Sequence, residues 1–480
     1  MPLPPTLPPP ELLSQVSALE QCEVDLCLAT IERPERIDPL TARTLREAAC
    51  LARLHTLSGP EGDLDAREIT APLREVALRA FADCGVGARA LERMDFDGLR
   101  ALTAILRPKT RLTWSRLKAA AQHRLPLDIL RREVHQKSLV IALGGGGGSG
   151  HIYLGALDFL ARRGLRPRLI AGTSIGALYA LFRARRPDWN SAESLAILRA
   201  LSLPRLLGAP SMEAHFGLPG AMRLCLRESI APFFTPDPNA PPLPLDALSV
   251  PVVLAATGIR AGALPRPMEE YARMIRGIDL KHPRSLARAV PGVIGAFIEL
   301  FQVSERLQAV YFGLDRGSEG IDAFDAAGFS AALPGALQFD IPPEAVTRHA
   351  ALRDLVRARG IFRLCDGALV DNVPAKGAFL AIQSGKIGTR NACVLALDCF
   401  APKLTSPFLA LQSLVAPQVH RSMAFAHVRH AFKRPPGPLD LIPTDRGLNA
   451  ILRRGAAELM PHAPLLDALM APLDPVETRD

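Results

Sequence analysis

The stretch that decides the fold is SLVIALGGGGGSGHIYLGALDFLARRGLRPRLIAGTSIG, residues 138–176. It begins with an apolar run at 138–143, which has the length and composition of a strand buried on both faces of a sheet. A glycine-rich loop follows, then apolar positions at helical spacing as far as 163, and then a second short strand at 168–171. The order strand, loop, helix, strand predicts a βαβ unit and therefore a parallel sheet covered by helices.

A serine stands where the second strand gives way to another helical stretch. Gly172-Thr173-Ser174-Ile175-Gly176 fits the pattern G-x-S-x-G, in which a sharp strand-to-helix turn holds the serine hydroxyl above the sheet. The helix N-terminus beneath it favours negative charge. Ser174 is therefore the candidate nucleophile of an acyl transfer. The alternative interpretation of the pentapeptide alone is a glycine-rich turn whose serine only caps the helix.

The glycine loop upstream favours the first interpretation. Acyl transfer requires N–H donors aimed at the oxyanion that forms, and consecutive glycines let the backbone approach closely enough to supply them. The run at 144–150 is suitable. Because the carboxyl ends of the two strands of a βαβ unit lie on one edge of the sheet, we expect this loop to meet Ser174 in space.

A dinucleotide-binding fold is the competing interpretation of this loop, because Gly145, Gly147 and Gly150 satisfy G-x-G-x-x-G between a strand and a helix. In that fold the second strand should end near an acidic residue that binds a ribose hydroxyl, whereas here it leads into Gly172 and Ser174. No lysine follows the glycines, so the pattern of a nucleotide P-loop is missing as well. We therefore favour acyl transfer.

A serine nucleophile also needs a base. Asp366-Gly367-Ala368 follows the apolar run 361–365, which puts a carboxylate just beyond a strand end, where α/β sheets carry function. An Asp-Gly pair is also common in simple turns. An ordinary α/β-hydrolase would use a later histidine, and three are available: His420, His427 and His430. We favour Asp366, because those enzymes have their oxyanion loop much further upstream and the three histidines fall in a stretch predicted to be helical.

In this order, the glycine loop, the elbow around Ser174 and the Asp366-Gly367-Ala368 motif resemble the patatin-like phospholipases. Three further segments agree with that family: a core strand at 252–258, an Ala/Ser-rich segment ending in Pro-Gly at 330–335, and an Asn-x-Pro at 372–374. The resemblance covers approximately residues 138–460. It implies an α/β, patatin-like three-layer fold with a mainly parallel central sheet.

The resemblance also implies a lipid acyl hydrolase, that is, a serine esterase acting on phospholipids or related lipids. Ser174 would attack a fatty acyl ester, and Asp366 would take its proton in a Ser–Asp dyad. Backbone N–H groups around Gly145, Gly146 and Gly147 would hold the oxyanion. The other motif positions carried by the resemblance are Gly150, Gly172, Gly176, Gly367 and Ala368. No metal or other cofactor is implied.

One position departs from the family. Its G-G-G-x-[RK]-G loop carries a basic residue where this sequence has Ser149, if Gly150 and Gly155 set the register. The five consecutive glycines at 144–148 allow that register to slip by one. The missing cation motivates an alternative of a different class, a non-catalytic lipid-binding or scaffold protein that retains the patatin fold.

Three regions are predicted along the chain. Residues 1–137 form an all-helical N-terminal domain whose role and protein partner the sequence does not indicate. Residues 138–460 form the patatin-like domain, with a lid or insertion at 265–325, and residues 461–480 form a C-terminal tail. Beyond the βαβ unit, strands are predicted at 251–257, 361–365, 392–397 and 439–442.

The formal charge of +9 favours an anionic partner, either nucleic acid or an acidic lipid surface. Aromatic residues make up only 5% and the arginines form no long run, so we expect a peripheral membrane surface and no nucleic acid. Eight cysteines without paired spacing, and no apparent secretory signal, predict a cytoplasmic protein. No stretch reaches the roughly 20 apolar residues of a membrane span, and the nearest, 289–298, is a candidate lid.

Overall fold

The computed structural model describes residues 7–473, apart from 61, 211–213, 236, 238–240, 265, 276–294 and 296–297. The chain divides into two compact units. The first consists of Met1–Leu139, Phe379–Val394 and Pro461–Asp480, and the second of Val140–Ala378 and Leu395–Met460. The domain boundaries at 137/138 and 460/461 stay a prediction from the sequence.

The helices are numbered in chain order: α1 (Pro10–Glu32), α2 (Pro39–Ala52), α3 (Arg67–Asp83), α4 (Phe96–Ala121), α5 (Leu127–His135), α6 (Tyr153–Arg162), α7 (Ile175–Ala184), α8 (Ser191–Ala200), α9 (Leu203–Leu206), α10 (Leu226–Ile230), α11 (Met268–Ile275), α12 (Ala323–Ser330), α13 (Val346–Ala358), α14 (Ala375–Gln383), α15 (Leu409–Met423), α16 (Asp445–Leu459) and α17 (Ala463–Met470). The strands are β1 (Thr56–Gly59), β2 (Gly62–Asp65), β3 (Ser138–Leu143), β4 (Pro167–Thr173), β5 (Leu207–Gly208), β6 (Gly220–Leu224), β7 (Val252–Arg260), β8 (Leu307–Phe312), β9 (Gly335–Gln338), β10 (Ile361–Asp366), β11 (Ala392–Asp398) and β12 (Val428–Ala431).

The first unit is built mainly of helices, as the sequence predicts. Helix α2 packs against α1, α3 and α4, and its first turn is capped by the Asp38 carboxylate, which accepts a hydrogen bond from the Thr41 N–H at 2.9 Å. Buried apolar side chains fill the space between these helices, among them Leu19, Leu26, Leu45, Leu51, Phe81, Leu99 and Leu106. One short antiparallel hairpin, β1 with β2, interrupts the helices, because glycines at 59 and 62 permit a tight reversal.

The second unit contains a seven-stranded mixed sheet in which most strands are parallel. Its strands are connected by pairing in the order β10-β7-β4-β3-β11-β12. Strand β7 pairs with β4 along its first half and with β10 along its second half, and β8 pairs with the opposite edge of β7. Strands β3, β4 and β11 are almost wholly buried, which explains their continuous apolar sequences. Helix α7 packs against β4, α12 against β7, and α13 against β10. A small sheet of order β5-β6-β9 lies apart from the large one.

The last strand of the sheet is not the one that the sequence predicts. Residues 439–442 form no strand, because Asp440 N–H closes a turn on the Gly437 carbonyl at 3.0 Å and prolines on either side of that glycine lack the N–H that a strand needs. The edge strand is instead β12, which runs parallel to β11. The prediction of a helical stretch around His430 is likewise wrong at its end, since His430 lies in β12.

The sequence predicts no membrane-spanning segment and a candidate lid at 289–298, and the structure bears on only the first of these predictions. None of the described helices combines the length and the apolar character that crossing a bilayer requires. Most of the candidate lid at 289–298, and residues 276–294 of the predicted insertion, lie outside the described residues.

Candidate active site

Ser174 stands at a sharp turn between β4 and α7. Its backbone dihedrals are φ 55° and ψ −124°, a conformation that costs a non-glycine residue energy and that the surrounding structure must hold in place. A Cβ on Gly172 would lie 2.4 Å from the Gly176 carbonyl oxygen, and one on Gly176 would lie 2.1 Å from that of Leu143. The two glycines of the pentapeptide are therefore required by the close approach of neighbouring backbone.

Asp366 reaches Ser174 from a direction that the sequence does not predict. Strand β4 runs parallel to β7 and pairs Thr173 with Ala255, whereas β10 runs antiparallel to β7 and pairs Asp366 with Ala256. Since β8 takes the other edge of β7, β4 and β10 lie along the same edge and run toward each other. Asp366 is therefore the last residue of an antiparallel strand whose end meets the end of β4.

Two local features permit this meeting. The register of β10 shifts between Ile361 and Arg363, so that Phe362 is an extra, bulged residue. Just past the strand, Gly367 leaves no room for a side chain, because a Cβ there would lie 2.3 Å from the Ala255 carbonyl oxygen and 2.9 Å from the Thr173 methyl group. The glycine of the Asp-Gly pair thus allows β10 to end directly against β4 and β7.

The Asp366 carboxyl group is buried beside the Ser174 hydroxyl. The residue is 1% exposed, and one carboxylate oxygen accepts the Ala368 N–H at 2.8 Å. Burial raises the pKa of Asp366 to about 6, and the hydrogen bonds from Ala368 and from the Ser174 side chain oppose that rise. No cation of the described residues contributes to the pKa of Asp366. The group is therefore a carboxylate at neutral pH whose affinity for a proton is well above that of an exposed aspartate.

Ser330, the last residue of α12, holds the junction of the strands together. Its hydroxyl donates to the Ala255 carbonyl at 2.6 Å and accepts the Ser174 N–H at 3.0 Å. Two residues on, the Ala332 carbonyl accepts the Asp366 N–H at 2.9 Å. The segment that begins at Ser330 therefore fixes the backbone of both Ser174 and Asp366, a role that sequence reasoning did not assign because both contacts are distant along the chain.

The glycine loop lies against Ser174. A Cβ on Gly145 would come within 3.0 Å of the Ser174 Cβ, and the Gly145 N–H donates to the Asn372 carbonyl at 3.0 Å. Gly146 and Gly147 have φ angles of 156° and 56° and are partly exposed. They stand at the first turn of the 3₁₀ helix Gly147–Ile152, where N–H groups have no partner within the helix. Among the described residues we find no acceptor for either N–H.

Ser149, where the family has a basic residue, is 2% exposed and tied to a second segment. Its hydroxyl donates to the Pro436 carbonyl at 2.8 Å, and the neighbouring Gly148 N–H donates to the Pro438 carbonyl at 2.8 Å. The His151 ring completes the attachment, with Nε2 3.0 Å from the Leu441 carbonyl and Nδ1 2.8 Å from the Tyr179 hydroxyl. Three contacts thus fasten residues 436–441 to the glycine loop.

The remaining predicted positions are also placed near the elbow. A Cβ on Gly150 would meet the Ile175 side chain at 2.4 Å, so this glycine lets the loop pack on α7. Asn372 is 1% exposed, its Oδ1 lies 2.6 Å from the point that a Cβ on Gly145 would occupy, and its Nδ2 has no acceptor among the described residues. Asn372 belongs to this cluster, although the sequence offered it only as part of an Asn-x-Pro.

The three histidines considered as alternative bases lie elsewhere in the second unit. His420 is in α15, His430 is in β12 with its Nε2 3.7 Å from Glu458, and His427 is fully buried between these elements in sequence. The hydrogen-bond donors to the Asp366 side chain are Ala368 and Ser174, with no imidazole between the serine and the carboxylate. Within the described part of the chain, no three His, Cys, Asp or Glu side chains are grouped so that they could hold a metal ion.

A comparison with known protein families covers the segment that contains these residues. Residues 141–379 match the family model described as patatin-like phospholipase. No curated protein matches the sequence significantly. The matched segment contains the glycine loop, the elbow and the Asp-Gly-Ala motif, and it covers most of the second unit. The chain therefore carries a domain of the patatin-like phospholipase family, and that family assignment suggests lipid acyl hydrolase activity.

Proposed function

We propose that the protein is a serine hydrolase that cleaves fatty acyl esters of phospholipids or related lipids through Ser174 and Asp366. Ser174 Oγ attacks the ester carbonyl while its proton passes to the Asp366 carboxylate. The tetrahedral intermediate collapses, the alcohol leaves with the proton from Asp366, and the acyl group stays on Ser174. Water then attacks the acyl-enzyme while Asp366 takes one of its protons. The second tetrahedral intermediate collapses, Asp366 returns this proton to Ser174 Oγ, and the fatty acid is released.

The observation that carries this proposal is a buried carboxylate whose ionised form is stabilised by the Ser174 hydroxyl and, among the described residues, by no cation. A general base works best when its pKa is close to the working pH. Burial brings the pKa of Asp366 to about 6, so the group is ionised at neutral pH and still attracts a proton strongly. The strained backbone of Ser174 also favours a functional role, because such strain persists where the rest of the fold enforces it.

The N–H groups of Gly146 and Gly147 are the best candidates for the oxyanion hole. The N–H of Gly145 is occupied by the Asn372 carbonyl, and the N–H of Ser174 is occupied by the Ser330 hydroxyl. Of the three glycines that the resemblance implies, Gly146 and Gly147 therefore remain as donors, and both are partly exposed. Gly145 then has a packing role, since a side chain there would press on the serine.

An apolar cluster supports a fatty acyl chain as the group transferred. It begins at the site itself, with Cys365 and Leu369 on either side of Asp366 and its glycine, and with Phe400, whose Cβ would touch a Cβ on Gly146 at 3.1 Å. Several partly buried apolar side chains pack against this cluster, among them Leu333, Ala368, Val370, Phe408, Leu411 and Leu414. Side chains of this kind next to the scissile bond favour an alkyl chain over a polar acyl group.

The test is covalent labelling of the serine together with hydrolysis. A fluorophosphonate probe should label the wild-type protein and leave Ser174→Ala unlabelled, and Ser174→Ala and Asp366→Asn should each lose about a thousandfold or more of the activity on a soluble aryl ester. Ser249→Ala, an exposed serine of the same unit, is the control and should keep both properties. Wild-type activity in Asp366→Asn would reject the dyad.

The same experiment decides the second candidate, a scaffold that binds lipid without hydrolysing it. Ser149 is the feature that favours it, because a basic residue of the family loop is missing there. Wild-type protein that binds phospholipid vesicles but neither reacts with the fluorophosphonate nor hydrolyses any ester would establish this second function.

A further inference from the structure

Two leucines with largely exposed side chains lie on tight turns. Leu404 is 93% exposed and follows Lys403, whose carbonyl accepts the Ser406 N–H at 2.9 Å; we call residues 403–406 the first turn. Leu439 is 67% exposed and lies in the second turn, residues 437–440, which the Asp440 N–H closes at 3.0 Å. A leucine this exposed loses the hydrophobic stabilisation of burial, so two of them invite a functional explanation.

The second turn and the segment that leads into the first turn both contact the glycine loop. Ahead of the first turn, Cys399 and Phe400 pack against Gly146, with Sγ 2.8 Å and Cβ 3.1 Å from the position that a Cβ on this glycine would occupy. In the second turn, the Pro438 carbonyl accepts the Gly148 N–H and lies 2.4 Å from where a Cβ on Gly147 would stand. The two leucines therefore belong to segments that border Gly146 and Gly147, the two partly exposed glycines of the loop beside Ser174.

The turns hold the leucines in fixed places. The Asp440 carboxylate accepts the Gly437 N–H at 2.8 Å across the second turn, and the Gln412 side chain accepts the Lys403 N–H at 3.3 Å at the start of the first. Rigid apolar tips lose little conformational entropy when they enter an apolar medium.

The charge around the turns is suited to an anionic lipid surface. Lys433 and Arg434, both exposed, lead into the second turn, and the guanidinium of Arg454, also exposed, donates to the Arg434 carbonyl at 3.0 Å. Lys403 opens the first turn. Cations beside inserted apolar side chains bind the head groups of acidic phospholipids.

We propose that Leu404 and Leu439 insert into a phospholipid bilayer, with Lys403, Lys433 and Arg434 on its head groups, and so hold the partly exposed glycines beside Ser174 at the membrane surface. This inference rests on the proposed function for its choice of a lipid partner. It assigns membrane binding to two turns within the described residues, and does not involve the predicted lid.

Binding to vesicles tests this surface independently of hydrolysis. In a Ser174→Ala background, which cannot consume the lipid, the protein should float with vesicles of phosphatidylcholine mixed with phosphatidylglycerol, and less with phosphatidylcholine alone. Leu404→Asp and Leu439→Asp should each weaken binding about tenfold or more, because each removes one inserted leucine and adds a charge. Leu404→Ser and Leu439→Ser remove the leucine without adding a charge, so each should weaken vesicle binding less than the Asp variant at the same position.

A matched control separates this effect from the general cost of an added charge. Leu112→Asp replaces a leucine of α4 that is 53% exposed, and it should bind vesicles as tightly as the parent. Unchanged circular dichroism and melting temperature show that each variant is folded. Equal binding by Leu404→Asp, Leu439→Asp and the parent overturns the proposal, and so does a parent that binds neither vesicle. If wild-type protein hydrolyses a soluble ester in that case, the proposed function stands and only the surface is rejected.

Discussion

The two units of the molecule stabilise buried charge in different ways. In the first unit, Lys137 is 4% exposed, with its Nζ 2.9 Å from Glu23 Oε2 and 2.9 Å from the Asn391 side-chain oxygen. Burial by itself would lower the pKa of Lys137, but the acids around it, Glu23 foremost, leave it raised. In the second unit, Asp366 is buried as deeply, and among the described residues the groups that stabilise its ionised form are the Ala368 N–H and the Ser174 hydroxyl.

The difference separates a structural cluster of charges from a reactive one. Even Glu20, whose pKa burial raises to about 7, has Lys137 and Arg53 close by to stabilise its ionised form. A cation beside a carboxylate lowers its affinity for protons and fixes its position, which suits a core. A carboxylate held by neutral donors alone keeps its affinity for a proton, which is what a base requires.

Breaking the ion pair of the first unit should give the largest change in stability. Lys137→Met removes a buried cation from beside Glu23 and Glu20, which keep Arg46 and Arg53 respectively, and we expect the free energy of unfolding to fall by about 3–5 kcal/mol. Urea denaturation measures this change. Arg162→Met is the control, since Arg162 is 78% exposed in its pair with Asp158 and should cost about 1 kcal/mol or less. Equal losses in the two variants would show that Lys137 is not needed to neutralise the core.

Asp366→Asn should have the opposite effect on stability. The pKa of Asp366 is raised in the folded state, so between about pH 4 and pH 6 the folded protein holds a proton that the unfolded chain releases. The ionised group therefore destabilises the fold above about pH 6, by up to about 3 kcal/mol. The variant should be more stable than the wild type at pH 8, and the gain should vanish toward pH 4. Melting temperatures across this range measure it, and a stability loss at pH 8 would contradict the unpaired state of the carboxylate.

The same ionisation predicts the pH dependence of hydrolysis. Only the carboxylate accepts the serine proton, so kcat/KM on a soluble ester should be level above the pKa of Asp366, about 6, and fall below it. We expect a fall of about tenfold for each pH unit, which is the behaviour of a single essential base. A decline that begins near pH 4 would mean that the carboxyl group is better solvated or better paired than its burial indicates.

The smallest effect concerns the attachment of the glycine loop. Ser149→Ala removes a buried hydroxyl that donates to the Pro436 carbonyl, and we expect it to cost about 1 kcal/mol of stability. If the attachment also holds the oxyanion donors in place, kcat should fall several-fold with little change in KM. Ser384→Ala is matched, because Ser384 is a buried serine of the first unit whose hydroxyl donates to the Ala381 carbonyl at 2.8 Å. It should lose similar stability and no activity, and equal kcat in both variants would leave Ser149 a purely structural role.

Local patterns in the sequence predict the local parts of the site well. The apolar run, glycine loop and pentapeptide around Ser174 are close in sequence, so their strand–loop–helix geometry follows from backbone sterics alone. The helical character of the first 135 residues is predicted for the same reason, and the hairpin at 56–65 is missed because four-residue strands leave little periodicity.

The long-range parts of the site could not be predicted. The direction of β10 depends on which edge of β7 it pairs with, and the apolar run at 361–365 looks the same in either orientation. The position of Ser330 depends on two hydrogen bonds to backbone far along the chain. Residues 439–442 were predicted as a strand, although the prolines and the glycine directly before them are a local signal for the turn at 437–440.

Because β4 and β10 meet end to end along β7, their pairing with β7 determines the distance between Ser174 and Asp366. The gap between Ser174 and Asp366 is set by the pairing of Thr173 with Ala255 and of Asp366 with Ala256, and by the segment that begins at Ser330, which holds the backbone of both residues. Other helices and loops of the chain between them can lengthen or shorten without changing this gap. A slip of β10 by one rung cannot be absorbed in this way, because it would turn the carboxylate of Asp366 to the opposite face of the sheet.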